Sequence, residues 1–180
     1  PSKAFKNNIH LSFVYGPQIQ KINYHSFRGC KYLIRFISRS LREIGRYGFS
    51  KCSSLSEIDL LQLIELKEGG FLQCCGLMNV IFDQLQTLTT FCFSGCLGLR
   101  QIIGPNIKQI DELTFQHCNQ TVNVVSNQAL PKQESYYQGK QIRFQEILVD
   151  EFKERIVLHK QLKTSQNMLK IIRKLLQLQK

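Results

Sequence analysis

The chain has 180 residues, 43% of them hydrophobic and 21% charged, a balance that belongs to globular chains and excludes a disordered one. Its formal net charge is +11, its apolar runs are too short for a transmembrane helix, and the opening "PSKAFKNNIH" lacks the apolar core of a signal peptide. Seven cysteines leave at least one thiol without an internal partner.

From residue 4 onward the chain repeats itself. Phe5, Phe27, Phe49, Phe71, Phe93 and Phe115 stand 22 residues apart. Cys30, Cys52, Cys74, Cys96 and Cys118 keep the same step, with Asn8 in the first slot. A leucine column (Leu11, Leu33, Leu55, Leu77 and Leu99) and apolar columns beginning at Val14, Ile19 and Ile22 run beside them. Six such copies imply a solenoid, because one coil cannot bury its own apolar face whereas stacked coils share a continuous core. Within a copy, "LSEIDL" (55–60) and "LMNVIF" (77–82) alternate as short strands do. "LIELKEGGF" (63–71) reads as a return turn of short helical or irregular backbone. Ala4, Ser26, Gly48, Gly70, Cys92 and Thr114 form a column of small residues before each Phe, which predicts tight backbone packing there.

The repeated cysteine is read as architecture. Five equivalent thiols do not describe one nucleophile with its base, and no C-x₂-C pair supplies local zinc ligands. Equivalent residues of successive coils point in parallel, which does not suit a disulfide. A buried thiol whose weak S–H donor satisfies a backbone carbonyl at the coil's corner fits the column, and Asn8 can make a similar bond.

The frame F-x-x-C-x-x-L-x-x-I, followed by a later I/L-x-x-I/L, resembles the BspA-like leucine-rich-repeat family over about residues 4–126. Pro17 in "VYGPQIQKI" (14–22) and Pro105 in "IIGPNIKQI" (102–110) keep that family's proline, while Arg39, Leu61 and Asp83 replace it between them. A looser turn after the strand is expected in those middle coils. Period and resemblance together predict an α/β repeat solenoid: a leucine-rich-repeat horseshoe of about six coils with a parallel concave sheet, over residues 1–126. Members of the family are abundant on bacterial surfaces and in parasitic protists, which implies a role in adhesion or protein interaction.

In such a sheet the residues flanking each inward apolar position face outward. Phe13, Tyr15, Arg35, Ile37, Glu57, Asp59, Asn79, Ile81, Gln101 and Ile103 are therefore the expected concave face. Its mixture of aromatic, cationic, anionic and apolar side chains suits a protein partner better than a phosphate backbone, which calls for a basic stripe.

After the repeats, 127–145 reads as a connector, with Tyr136 and Tyr137 placed to pack on the last coil. Residues 146–180 contain no Pro or Gly and read as a basic amphipathic helix. Lys163, Lys170, Arg173 and Lys174 are its expected contacts, and no acid follows Glu154. That segment is expected either to cap the solenoid or to meet an acidic protein, a nucleic acid or an anionic membrane surface. With that helix as its anchor, the chain would alternatively be a structural subunit of a larger assembly, a ribonucleoprotein being one form of it.

The four histidines show no metal-ligand spacing, and no nucleophile elbow, P-loop or dinucleotide fingerprint occurs. The reading is thus a non-enzymatic interaction module without cofactor or small-molecule substrate. Compartment stays open: the tail leans toward the cytoplasm and the family analogy toward the cell surface. "NQT" (119–121) is a glycosylation sequon of low specificity.

Overall fold

A computed structural model describes residues 1–142 of the protein, and residues 1–141 form one compact unit. The predicted helix over 146–180 lies outside the described residues.

Two strands alternate along the chain. On one side of the coil stand β1 (Phe13–Tyr15), β3 (Arg35–Ile37), β5 (Glu57–Ile58), β7 (Asn79–Ile81), β9 (Gln101–Ile103) and β11 (Val122–Val125). On a second side stand β2 (Lys21–Ile22), β4 (Glu43–Ile44), β6 (Glu65–Leu66), β8 (Thr87–Leu88) and β10 (Gln109–Ile110). All pairings among them are parallel and in 22-residue register, as in Phe13 opposite Arg35 and Ile22 opposite Ile44. Six strands on the first side and five on the second make about five full coils, where about six were expected, in a parallel β-solenoid. Each coil is numbered below by its Phe, from Phe5 in the first to Phe115 in the sixth.

No α-helix occurs among the described residues, so the helical component of the predicted α/β fold is corrected to β-strand and turn. The stretch 63–71, read as a return turn, contains β6. The reason lies in where the amides go. On the third side of the coil the N–H groups of Tyr47, Phe49 and Lys51 donate to Glu68, Gly70 and Leu72 of the next coil at 2.7–3.0 Å. Amides committed to a neighbouring coil are not free for the i→i−4 ladder of a helix. The turns that make this possible are left-handed at two fixed positions. Every described residue with positive φ lies in the column of Lys3, His25, Tyr47, Gly69 and Phe91, or in that of Asn7, Gly29, Lys51, Gln73, Gly95 and His117. Only three of these are Gly, so stacking holds eight ordinary residues in a conformation that side chains disfavour.

The core is a set of side-chain columns. The six Phe rings lie nearly parallel, 5.1–6.3 Å apart between neighbours, with Phe36 and Phe82 meeting them edge-on. The small-residue column is buried at Ser26, Gly48, Gly70, Cys92 and Thr114. A Cβ at Gly48 would stand 3.0 Å from both Ile22 Cγ2 and Ile44 Cγ2 and 3.1 Å from the Gly45 carbonyl, so little room is left for a larger side chain there.

The strand ladders are interrupted once on each side. β5 is not hydrogen-bonded to β7, nor β6 to β8, so both gaps fall between the third and fourth coils. The turn side is continuous there: its three amide bonds are present and Phe49 stacks on Phe71 at 5.6 Å and 5°. The gap coincides with Leu60 and Phe82, large buried side chains in the column that holds Gly16, Ser38, Gly104 and Ser126 elsewhere.

Residues 126–141 return to the solenoid. β12 (Tyr136–Gln138) pairs in parallel with β11, Val122 opposite Tyr136, a step of 14 residues instead of 22. Tyr136 is buried, meets the Phe115 ring edge-on at 6.0 Å, and donates its hydroxyl to the Pro131 carbonyl.

Candidate functional site

The first strand side carries the residues expected to meet a partner. In β1, Phe13 is 48% and Tyr15 65% exposed, although both are large side chains that a closed core would bury. Across β3 and β5, Arg35 grips Glu57 with two contacts, Nη2–Oε1 at 2.8 Å and Nε–Oε2 at 2.7 Å. The parallel register places these residues directly opposite one another. The pair lies in water, so it contributes orientation more than stability. Ile37 is half-buried. Asp59 stands just beyond β5, and its Oδ1 accepts the Leu61 N–H at 3.2 Å, which makes it a turn residue. In β7, Asn79 is exposed and Ile81 is 48% exposed.

Beyond β7 the face closes. Gln101 is only 2% exposed, contrary to its expected outward position. Its Oε1 accepts from Asn123 Nδ2 at 2.9 Å, and the same nitrogen donates to the Lys140 carbonyl at 3.0 Å. The returning segment therefore covers this end of the sheet, and Ile103 is half-buried. Phe13, Tyr15, Arg35, Ile37 and Glu57 share one three-stranded sheet, while Asn79, Ile81, Gln101 and Ile103 belong to the four-stranded one. Ile34 and Met78, at the entries of β3 and β7, are 49% and 40% exposed. Strict alternation turns both inward, so sequence reasoning passed over them. The buried leucines immediately before them, Leu33 and Leu77, were the available signal. Lys163, Lys170, Arg173 and Lys174 lie outside the described residues.

The second strand side is an ion-pair lattice. Glu43 and Glu65 are opposite one another in β4 and β6, a repulsive arrangement relieved by lysines. Lys21 Nζ lies 2.6 Å from Glu43, and Lys67 Nζ lies 3.1 Å from Glu43 and 3.5 Å from Glu65. The hydrogen bond from Lys21, with that from Lys67, outweighs partial burial and holds the Glu43 carboxyl below the ordinary carboxylate range.

At the corner between the turn side and the first strand side run the thiols. Cys30, Cys52, Cys74 and Cys96 donate to the carbonyls of Phe5, Phe27, Phe49 and Phe71 in the preceding coil at 3.0–3.1 Å, and Cys118 reaches Phe93 at 3.4 Å. Asn8, in the same column, accepts the His10 N–H on its Oδ1 at 3.0 Å. Burial pushes the thiols of Cys52, Cys74 and Cys96 far up, so the nucleophilic thiolate is suppressed. Among the described residues no group of three or more His, Cys, Asp or Glu could hold a metal ion.

The pattern of the BspA-type leucine-rich-repeat region matches residues 1–122 in six copies. That family is a repeat family, generally non-catalytic. No curated protein matches the chain. Among solved structures, a leucine-rich-repeat protein of T. pallidum is similar at 27% identity and a TM-score of 0.58, over 64% of this chain and 58% of that one. A leucine-rich cell surface protein of Faecalibacterium prausnitzii shares 24% identity over 63% of this chain and 31% of its own, with a TM-score of 0.57. A leucine-rich-repeat protein of Bacteroides ovatus shares 21% identity over 76% and 35%, at 0.56. This chain thus spans from about a third to somewhat over half of the lengths of these proteins.

Proposed function

Since the chain belongs to the BspA-type leucine-rich-repeat family, we propose that it is a non-enzymatic interaction module whose first strand side takes a protein partner. One observation carries the reading: large apolar side chains stand exposed on one strand side of the solenoid, Phe13 and Tyr15 on the three-stranded sheet beside the Arg35–Glu57 pair and Ile81 on the four-stranded sheet that follows it. Aromatic anchors beside an oriented charge pair are what a protein interface uses for energy and register. Solenoids offer such faces because their repeats align equivalent residues in rows. The contact area runs from β1 to β7, short of Gln101.

The test compares capture of partners from native lysate by the full chain and by a variant carrying Phe13→Ser, Tyr15→Ser and Ile81→Ser. A specific protein held by the parent and lost by the variant supports the reading. A protein held equally by both, yet released when Lys21 and Lys67 are replaced by Gln, moves the interface to the second strand side.

A second reading, that of a cell-surface adhesin, is favoured by the family and by the cell-surface description of the F. prausnitzii protein. Protease treatment of intact source cells tests it: an adhesin is cut, whereas an internal module survives until lysis.

A further inference from the structure

The turn side has a charge pattern of its own. Across positions 3–10, 25–32, 47–54, 69–76, 91–98 and 113–120 there are five Lys or Arg side chains, three His, and no Asp or Glu, while Arg46, Glu68 and Glu112 stand at its edge one position earlier. Lys3, Lys6, Lys31 and Lys51 are exposed, and among the described residues none of them makes an ion pair. Arg28 Nη1 sits 3.0 Å from Nδ1 of the buried His25, so that nitrogen accepts and the ring carries its proton on Nε2. Burial, followed by the charges of Arg28, Lys6 and Lys3, lowers the pKa of His25, which reflects how closely these cations crowd.

A shallow trough of about 530 Å³ runs along this side, from Lys31 on the second coil to His117 on the sixth. Lys51, Ser53, Gln73, Cys75 and Leu97 line it between them, Ser94 is buried there, and the lining contains no acid, no Arg, no Phe and no Tyr.

We propose that this trough binds a linear anionic polysaccharide, with Lys31 and Lys51 taking its sulfate or carboxylate groups and Ser53 and Gln73 its hydroxyls. An unpaired basic patch calls for a polyanion, and the shape and lining choose among polyanions. A trough receives a chain, whereas a bilayer surface would rest on its rims and leave the floor untouched. Single-stranded nucleic acid binders combine cations with aromatic platforms on which bases stack, and none lines this floor. Bidentate phosphate recognition uses Arg, and here the cations are lysines, point charges that accept sulfate or carboxylate in varied geometry. Hydroxyl and amide groups between them match the alternation of charge and hydroxyl along an acidic sugar chain.

The experiment titrates the full chain with a size-fractionated heparin oligosaccharide at several salt concentrations. The double variant Lys31→Gln/Lys51→Gln should lose about tenfold in affinity or more, and its slope of log K against log salt should fall by about two. Lys108→Gln/Lys132→Gln, an equal charge change at exposed positions elsewhere, should stay within about twofold of the parent. All four lysines are exposed, and matching thermal melts verify that the fold is kept. Equal losses in the two variants would reduce the effect to net charge and overturn the proposal. So would unchanged heparin affinity in the first variant, or a larger loss for a single-stranded oligonucleotide or for phosphatidylserine vesicles than for heparin.

Discussion

At the scale of single residues, the cysteine column closes a hydrogen-bond account. The Phe49 carbonyl already accepts the Cys52 N–H at 3.1 Å, and the Cys74 thiol occupies its second lone pair at 3.1 Å. Cys74→Ala removes that donor and leaves a void, so it should cost about 1–3 kcal/mol in denaturant unfolding. Cys75→Ala, at a half-exposed neighbour, should stay within about 0.5 kcal/mol of the parent. A thiol reagent applied to the native protein should label Cys75 well before any buried ladder thiol, and all seven cysteines after unfolding. Backbone is as demanding as side chain. A Cβ at Gly98 would stand 2.4 Å from the Cys75 carbonyl, so Gly98→Ala should destabilise by about 1–3 kcal/mol. Lys51 is held at φ +62°, and Lys51→Gly should gain about 0.5–1 kcal/mol once the greater unfolded-state entropy of glycine is subtracted.

At the scale of elements, the columns beginning at Phe5, Cys30 and Leu11 made the solenoid legible, because side chains that stack on their own copies must recur at one interval. The outward positions Phe13, Tyr15, Arg35 and Glu57 were legible by alternation alone. The second strand was not. A two-residue strand such as β6 shows only one inward and one outward position, which does not distinguish it from a turn. β12 escaped because its 14-residue step leaves no column to read, and its attachment to β11 is made by backbone. The burial of Gln101 followed from that omission, since its cover comes from Asn123 and Lys140. The ring column also grades its members by position. Phe71 is fully buried between Phe49 and Phe93, whereas Phe5 is 45% exposed and stacks on one neighbour. Phe71→Ala should therefore cost about 3–5 kcal/mol in a melt, and Phe5→Ala well under half as much.

At the scale of the whole molecule, stability is a sum over neighbouring coils, so damage should stay near its source. Tyr136 closes the ring column over Phe115, and Tyr136→Ala opens that end to water. Native-state hydrogen exchange should then accelerate at the amides of β9, β11 and β12 while those of β3 and β4 keep their protection. Uniform acceleration along the chain would instead mark the solenoid as one cooperative block.

The paired gaps between the third and fourth coils give the solenoid a place to bend. Neither strand ladder is continuous there, although Thr89 Oγ1 donates to the Leu66 carbonyl at 3.0 Å on the second side, while the turn side is held by three amide bonds and the closely parallel Phe49 and Phe71 rings. A bend at this place would therefore pivot on the turn side. Such a bend would change the span between Phe13 and Ile81, which sit across the gap, more than the distance from Lys31 to His117, which lies along the pivot side. A partner bridging β1 and β7 would set the bend of the molecule by its own length, whereas a chain lying in the basic trough would follow a ruler of fixed length.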